Sequence, residues 1–377
     1  MKVEVLQEVL NRGLSIIHPA IQSRSTLPVL ANVLIATDEG RLRLSATDLE
    51  LGITCWIGAK IEDEGSTTVP FKTFSELVGT LPDAKVSLSL NTDNEILNIR
   101  SGSSKNDIKG IDADEFPIMP VPNFDDAIMI NVADFREMVQ QVAFAASMDE
   151  ARPVLMGVLI KFEETTITMA AADGFRLSVR SAALSEPVKN PFKVIVPSKA
   201  LQNLSRIATN AEEPIQMVLP KGRGQVVFRV KDAELTSQLI DGSFPDYQQI
   251  IPQNLRTKTI VSTESLLKAC KQAEIFAREG TNVVKLDIQG ADDPNAPGTM
   301  IISAQSEETG KNETMVSCVI DGDPILIAFN VKYLREVLEV VRTGNVVIQT
   351  SAPNAPGLIT SNDNLDFQHV IMPMHLG

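Results

Sequence analysis

The stretch Val69-Pro70-Phe71-Lys72-Thr73-Phe74-Ser75-Glu76-Leu77-Val78-Gly79-Thr80-Leu81-Pro82 predicts a short amphipathic helix. Its apolar side chains recur every three or four residues and so share one helix face: Phe71, Phe74, Leu77, Val78 and Leu81. Pro70 stands at the start, where its missing N–H is tolerated, and Pro82 marks the end. A β-branched run precedes the helix.

The same design occurs twice more, over residues 196–207 and 329–341, at intervals of roughly 130 residues. A lysine stands near the start of each of these helices: Lys72, Lys199 and Lys332. A second amphipathic helix opens each copy, over residues 4–17, 131–146 and 262–278. The chain therefore indicates three tandem copies of one plan, in which a helix, strands, a helix and further strands follow one another.

Short markers close the three copies: Glu115-Phe116-Pro117, Ser243-Phe244-Pro245-Asp246-Tyr247 and Ile371-Met372-Pro373-Met374. A period of this length is too long for a solenoid, so three similar domains fit better. We predict an α+β fold in which each domain packs two helices on antiparallel sheets. The predicted domains are residues 1–125, 126–254 and 255–377.

Composition limits the classes of function. A chain of 377 residues is long enough for three domains with proper cores, and its mean hydropathy of +0.04 is typical of a soluble globular protein. No apolar run reaches membrane-spanning length and the first ten residues do not resemble a signal peptide, so we expect a cytoplasmic protein. Cys55, Cys270 and Cys318 are too scattered for a zinc site or a disulfide framework.

An enzyme finds little support in the sequence. The three histidines His18, His369 and His375 form no visible relay, and the motifs of serine hydrolases, zinc proteases and P-loop proteins are absent. We expect no metal, no cofactor and no catalytic residue. An enzyme with an unrecognised cleft between domains stays an alternative, and it predicts a polar pocket with perturbed carboxylates.

The net charge of −14 is distributed unevenly. Six helix windows, 4–17, 71–81, 131–146, 197–209, 262–278 and 331–342, together hold eleven Lys and Arg against nine Asp and Glu. The acidic excess therefore lies outside them. Two interpretations stay open: the helices line a surface that faces phosphate, or they simply favour i,i+4 pairs such as Glu264–Lys268 and Arg335–Glu339.

The chain ends in an apolar tail, residues 370–376, in which two methionines flank Pro373. Because termini normally fray, an apolar ending is unusual. It indicates either an adaptable groove lined by methionine or a last strand that packs on its own core.

The threefold plan, Asp173-Gly174-Phe175-Arg176-Leu177, Phe244-Pro245-Asp246-Tyr247 and the apolar ending together resemble the bacterial sliding clamps, the β subunits of DNA polymerase III. The resemblance covers the whole chain. It implies a non-catalytic DNA processivity factor in which two subunits pair head to tail into a closed ring, with twelve helices around the hole. The implied partners are encircled double-stranded DNA, the replicative polymerase α subunit, the clamp loader, other proteins with a clamp-binding motif, and a second copy of the chain.

The resemblance also implies three sets of site residues. The pocket for partner peptides would contain Leu155, Ala172, Gly174, Phe175, Arg176, Leu177, Pro245, Gln249, Ile250, Asn330, Tyr333, Val370, Ile371, Met372, Pro373, Met374, His375 and Leu376. The residues that face DNA would be Arg24, Lys72, Lys199 and Lys332. The dimer interface would join Arg100, Lys105 and Lys109 of one subunit to Ile275, Phe276, Glu307 and Glu308 of the other.

Three pocket positions depart from the pattern of the family. Phe175 replaces a common histidine, and Gln249 and His375 each replace an arginine. We expect the apolar pocket to be retained and the preference for partner peptides to differ. A DNA-independent adaptor that uses the same pocket stays an alternative function.

Overall fold

The computed structural model describes residues 1–22, 26–209, 213–222, 224–290, 296–362 and 366–375. The predicted sites at Arg24 and Leu376 lie outside the described residues. Within the described ranges there are six α-helices: α1 Gln7–Ile17, α2 Phe71–Thr80, α3 Val132–Val142, α4 Ser198–Ile207, α5 Thr263–Ala277 and α6 Val331–Val340. None of the helices in this part of the chain is long and apolar enough to cross a membrane.

The strands follow in chain order. The first copy contains β1 Lys2–Leu6, β2 Asn32–Asp38, β3 Arg41–Thr47, β4 Leu51–Ile57, β5 Lys60–Asp63, β6 Ser66–Pro70, β7 Lys85–Asn91, β8 Ile96–Ser101 and β9 Ser104–Lys109. The second contains β10 Ile128–Ile130, β11 Gly157–Glu163, β12 Thr166–Ala172, β13 Arg176–Ala183, β14 Phe192–Pro197, β15 Ile215–Val218, β16 Gln225–Val230 and β17 Ala233–Gln238. The third contains β18 Thr257–Ser262, β19 Val283–Gln289, β20 Gly298–Ser306, β21 Gly310–Asp321, β22 Ile325–Asn330, β23 Asn345–Thr350, β24 Gly357–Ser361 and β25 Phe367–Ile371.

The predicted repeat is confirmed by this order. In the described parts of the second and third copies, one strand, a helix, four strands, a second helix and three strands follow one another. The first copy has the same order with one additional strand, β5. Each second helix follows directly on a strand, because β6, β14 and β22 end at the residue before α2, α4 and α6.

The contacts divide the chain into two compact units. Unit one is residues 1–133 and 203–239, and its described strands form two sheets in the orders β5-β1-β7-β8-β9 and β10-β15-β16-β17-β4-β3-β2-β6. Unit two is residues 134–202 and 240–377, and its described strands form one sheet, β14-β11-β12-β13-β25-β24-β23-β18-β21-β20-β19-β22. The three predicted domain ranges stay a prediction.

Sheets pass from one copy to the next at two equivalent junctions. In unit one, β17 of the second copy pairs with β4 of the first, from Ala233–Cys55 to Ser237–Leu51. In unit two, β25 of the third copy pairs with β13 of the second, from Phe367–Arg180 to Ile371–Arg176. Both junctions join the last strand of one copy to the strand that follows a three-residue turn in the preceding copy.

The helices bury the faces that their periodicity predicts. Phe71, Phe74, Val78 and Leu81 of the α2 region are buried, and Leu77 is partly buried. Leu6 does not belong to the first helix as expected. It ends β1, where its backbone pairs with Lys85 of β7, and its side chain is 49% exposed.

A closely similar turn occurs in the first two copies. The Asp48 carboxylate accepts hydrogen bonds from the backbone N–H groups of Glu50 (3.0 Å) and Leu51 (2.7 Å), and the intervening residue, Leu49, has φ of 78°. The Asp173 carboxylate makes the equivalent pair of bonds in the second copy. The carboxylates at both positions therefore shape turns.

We expect Gly322→Ala to lower the free energy of unfolding by about 2 kcal/mol or more. Gly322 has φ of 113°, and an added Cβ would lie 2.1 Å from the backbone oxygen of Arg256. Gly344→Ala is the matched control, because a Cβ there meets no described atom within 4 Å. Denaturant unfolding of both variants checks the prediction, and equal stabilities would contradict it.

Candidate functional site

The turn between β12 and β13 presents an exposed phenyl group on a fixed backbone. The Asp173 carboxylate accepts hydrogen bonds from the N–H groups of Phe175 (2.9 Å) and Arg176 (3.1 Å). Gly174 has φ of 94°, a conformation that favours glycine. The carbonyl of Phe175 accepts a bond from the N–H of Met372 at 2.8 Å. The Phe175 side chain is 58% exposed. The N–H and the carbonyl of Phe175 are both hydrogen-bonded, so its backbone is held in place at the surface.

Arg176 connects three segments of unit two. Its guanidinium donates to Asp173 (3.0 Å), to the carbonyl of Phe144 (2.9 Å) and, in a short bond, to Glu336 of α6. The guanidinium carbon also lies 4.4 Å from the centre of the Tyr333 ring. Because the Arg176 side chain is only 8% exposed, its charge depends on these partners.

The C-terminal segment confirms one interpretation of the tail, the last strand, while the methionine-lined groove stays a prediction. Val370 and Ile371 of β25 are buried, so the last strand packs on its own core. Beyond it the chain continues along β22, where the N–H of Met374 donates to the carbonyl of Ala328 at 2.8 Å. Met372 lies between these two fixed points and is 40% exposed.

Apolar residues from the second and third copies meet beside this segment. Ala172, Leu177, Val370 and Tyr247 are buried in one cluster, and Leu155 packs against it while partly buried. Three predicted positions in and beside the 3-10 turn Tyr247–Gln249 are exposed: Pro245, Gln249 and Ile250. The predicted apolar walls thus lie within one unit, around the junction of β13 and β25.

Helix α6 contributes the polar side of this region. The side chain of Asn330 accepts hydrogen bonds from the N–H groups of Lys332 (3.0 Å) and Tyr333 (3.4 Å), and so caps the helix. Burial, and then the negative charge of Asp173, raises the pKa of Tyr333. Its hydroxyl therefore stays protonated at neutral pH. Pro373 is partly buried, while His375 borders a separate groove of about 1090 Å³ that Glu307 and Glu308 also line.

Neither motif nor periodicity indicates that His369 is a structural residue beneath the site. Its Nδ1 shares a hydrogen bond of 2.5 Å with the hydroxyl of Ser178, and its ring stacks on Phe144. Burial, and then the positive charge of Arg176, lowers the pKa of His369 to about 3. Its Nε2 has no hydrogen-bond partner among the described residues, which agrees with a neutral ring.

The lysines predicted to face DNA occupy one position in the repeat. Lys72, Lys199 and Lys332 are each the second residue of their helix, and each is exposed. The alternative explanation of the helix charges also has support, because Arg335 binds Glu339 at 3.0 Å and Glu274 at 2.8 Å. The structure thus contains both exposed cations and cations paired along the helices.

The residues predicted for a dimer interface lie at exposed positions with one exception. Arg100 pairs with Lys105 across β8 and β9, and β9 is an edge strand of its sheet as described. Ile275 is 53% exposed, whereas Phe276 packs partly buried against the core of the third copy. Glu307 and Glu308 form the exposed turn between β20 and β21.

The described residues contain no group of three or more metal-ligating side chains. All three cysteines are buried free thiols. Burial raises the pKa of Cys55 and Cys270 to about 12 and that of Cys318 to about 11, so the thiols stay protonated.

Comparison with known proteins identifies three successive domains. Models of the DNA polymerase III beta subunit match at residues 1–120 for the N-terminal domain, 129–246 for the central domain and 248–375 for the C-terminal domain. The beta sliding clamp of Synechococcus elongatus is 33% identical over the full length of both chains, and that of Bacillus subtilis is 32% identical over 99% of both.

Solved structures agree with these matches. The DNA polymerase sliding clamp from Bacillus subtilis superposes with a TM-score of 0.92 at 30% identity and covers both chains completely. The Pseudomonas aeruginosa sliding clamp bound to griselimycin superposes with a TM-score of 0.91 at 27% identity, also over both complete chains.

Three tandem beta-subunit domains around antiparallel sheets define a replication clamp. The chain belongs to the beta sliding clamp family. Its function is that of a DNA sliding clamp, a non-catalytic processivity subunit of DNA polymerase III. The assignment of individual site residues stays a prediction.

The buried His369 predicts acid sensitivity. The unfolded chain binds a proton with the ordinary histidine pKa near 6.5, whereas the folded chain does so only near pH 3. The contribution of neutral His369 to the free energy of unfolding is therefore fully present above pH 6.5. It is lost as the pH falls toward 3, by up to about 1.4 kcal/mol per pH unit. We expect His369→Asn to flatten this slope in denaturant unfolding between pH 7 and pH 5. The exposed His375→Asn serves as control, and equal slopes in the two variants would refute the assignment.

Proposed function

We propose that two copies of this chain pair head to tail into a closed ring that encircles duplex DNA in the cytoplasm, at the nucleoid. The observation that carries the proposal is the repeated sheet junction. The two internal junctions use the last strands of the second and third copies, β17 and β25. The last strand of the first copy, β9, and the strand after the three-residue turn of the third copy, β21, are left for a further junction. Two chains related head to tail satisfy both ends and close after two subunits.

The free edges agree with this arrangement. Among the described strands, β9 pairs only with β8. The first half of β21 pairs only with β20 on one side, because β18 meets β21 from Cys318 to Asp321. Unpaired strand edges favour pairing with another chain. The predicted interface residues Lys105 and Lys109 belong to β9, with Arg100 on the adjacent strand β8, and Glu307 and Glu308 border the free edge of β21.

The mechanism is topological. A ring around the duplex needs only weak, sequence-independent phosphate contacts, so it slides. In the proposal Arg24, Lys72, Lys199 and Lys332 face the phosphates, while the acidic remainder of the chain lies outside. Tethering keeps the polymerase at a high local concentration after each release, and this supplies processivity.

Partner proteins are proposed to bind the groove beside β13 and β25 through a short extended peptide with a glutamine and C-terminal apolar residues. Leu155 and Ile250 would contact the apolar residues above the buried Leu177, and exposed Met372 would adapt to them. The solved relative bound to griselimycin supports a ligand site in clamps. The proposed partners include the polymerase α subunit and the clamp loader, and the same groove would serve a DNA-independent adaptor.

Retention on DNA of two topologies separates a clamp from an adaptor. The protein is loaded on a nicked circular plasmid with its loader and ATP, washed in high salt, and the plasmid is then cut once. We expect retention through the wash and loss after cutting, because salt removes ordinary phosphate contacts but not a ring. Loss during the wash, or retention after cutting, would contradict encirclement.

The internal junctions also predict the register of the junction between subunits. In unit one, the first residue of β17 pairs with the fifth residue of β4, and β25 follows the corresponding register on β13. The same rule places Ser104 of β9 opposite Thr314 of β21. Lys105 then faces Glu313 and Asp107 faces Lys311, so both exposed pairs join opposite charges across the strands.

Charge reversal tests this register. We expect Lys105→Glu alone, or Glu313→Lys alone, to raise the dimer dissociation constant roughly 30-fold, because about 1 kcal/mol is lost at each of two interfaces. The chain that carries both changes restores the pair and should dimerise like the unmodified protein. Sedimentation over a dilution series measures this, with Lys221→Glu as control. A wild-type protein that is monomeric throughout would refute the ring, whereas unaffected single variants would refute only the register.

A further inference from the structure

Two carboxylates, those of Asp173 and Glu336, bind the single positive charge of the Arg176 guanidinium. Asp173 alone neutralises the guanidinium, and it also shapes the turn through the N–H groups of Phe175 and Arg176. Glu336 adds a second carboxylate at the same guanidinium. A variant without Glu336 therefore keeps the Arg176–Asp173 ion pair and the turn. It loses the bond by which Arg176 is joined to helix α6.

Two residues of the proposed groove lie at the start of helix α6. Asn330 caps the helix. Tyr333 lies one turn before Glu336, so the side chains of Tyr333 and Glu336 point to the same side of the helix. Glu336 binds the guanidinium on which Tyr333 stacks at 4.4 Å. The ion pair and the stacking contact thus act on adjacent turns of one helix and fix its distance from the turn at Phe175.

The ion pair between Glu336 and Arg176 is more shielded from solvent than the ion pairs of Glu339 on the same helix. Glu336 is 22% exposed and Arg176 is 8% exposed, so solvent screens their contact less than it screens a surface pair. By contrast, Glu339 on the same helix is 36% exposed and binds Arg335 and Lys271, which are 23% and 53% exposed. The two glutamates have the same charge and lie on the same helix, but Glu336 binds Arg176 whereas Glu339 binds Arg335 and Lys271.

We infer that Glu336 is a positioning residue of the groove: by binding Arg176 it holds Tyr333 against the β12–β13 turn and so strengthens the binding of partner peptides. This inference rests on the proposed peptide-binding function. Glu336 itself need not touch the peptide, since its carboxylate is bonded to Arg176.

The first test is a comparison of Glu336→Ala with Glu339→Ala. Each variant is titrated into a fluorescently labelled pentapeptide with an N-terminal glutamine and a C-terminal Leu-Phe. We expect Glu336→Ala to weaken binding about tenfold, which corresponds to about 1.4 kcal/mol, and Glu339→Ala to change it less than twofold. Glu336→Gln keeps an acceptor oxygen for the guanidinium and should recover part of the affinity. It also provides a folded variant if the alanine variant does not fold.

A double-mutant cycle separates positioning from general structural damage. If Glu336 acts through Tyr333, then Glu336→Ala costs little affinity in a Tyr333→Ala background, and the two effects are not additive. Additive losses, or full affinity in Glu336→Ala, would overturn the inference while leaving peptide binding in place. A wild-type protein that does not bind the peptide would instead refute the proposed function.

Discussion

Backbone hydrogen bonds between the last strand of one copy and an outer strand of the preceding copy are the interaction on which the rest of the protein depends. Unpaired N–H and C=O groups at a sheet edge must find partners, and here the chain supplies them from its own repeat. The β17–β4 pairing makes the eight-stranded sheet, and the β25–β13 pairing makes the sheet of unit two. The proposed groove is a by-product of the second pairing, since it opens where β25 ends at Ile371.

Much of the fold follows from local pattern. The second helix of each copy is predicted from apolar spacing and a preceding strand, and all three begin within one residue of the predicted windows. This works because helix periodicity and strand runs are properties of neighbouring residues. The error at Leu6 has a non-local cause. Residues 4–6 continue the helical pattern, but β7 offers them a pairing partner about 80 residues away. Periodicity alone does not reveal such a partner.

The candidate site was predictable only in part. The turn at Asp173 and the apolar ending are visible as motifs. The bond from Arg176 to Glu336 joins residues 160 positions apart, and that from Ser178 to His369 joins residues 191 apart. No spacing rule connects such pairs, because the register of β13 on β25 and the placement of α6 bring them together. The proposed opposition of Lys105 and Glu313 is likewise invisible to spacing rules, because it follows from the registers of the internal junctions.

The repeat made the Asp-centred turn twice but gave it an arginine only once. At the position of Arg176 the first copy has Leu51, which has no charge with which to fasten a helix. One chain would therefore offer one docking place of this kind, and the proposed ring of two chains would offer two. If partner proteins bind there as proposed, no more than two could occupy a ring at once, and the order of events at the DNA would depend on how long each occupant stays and on how many competitors are present.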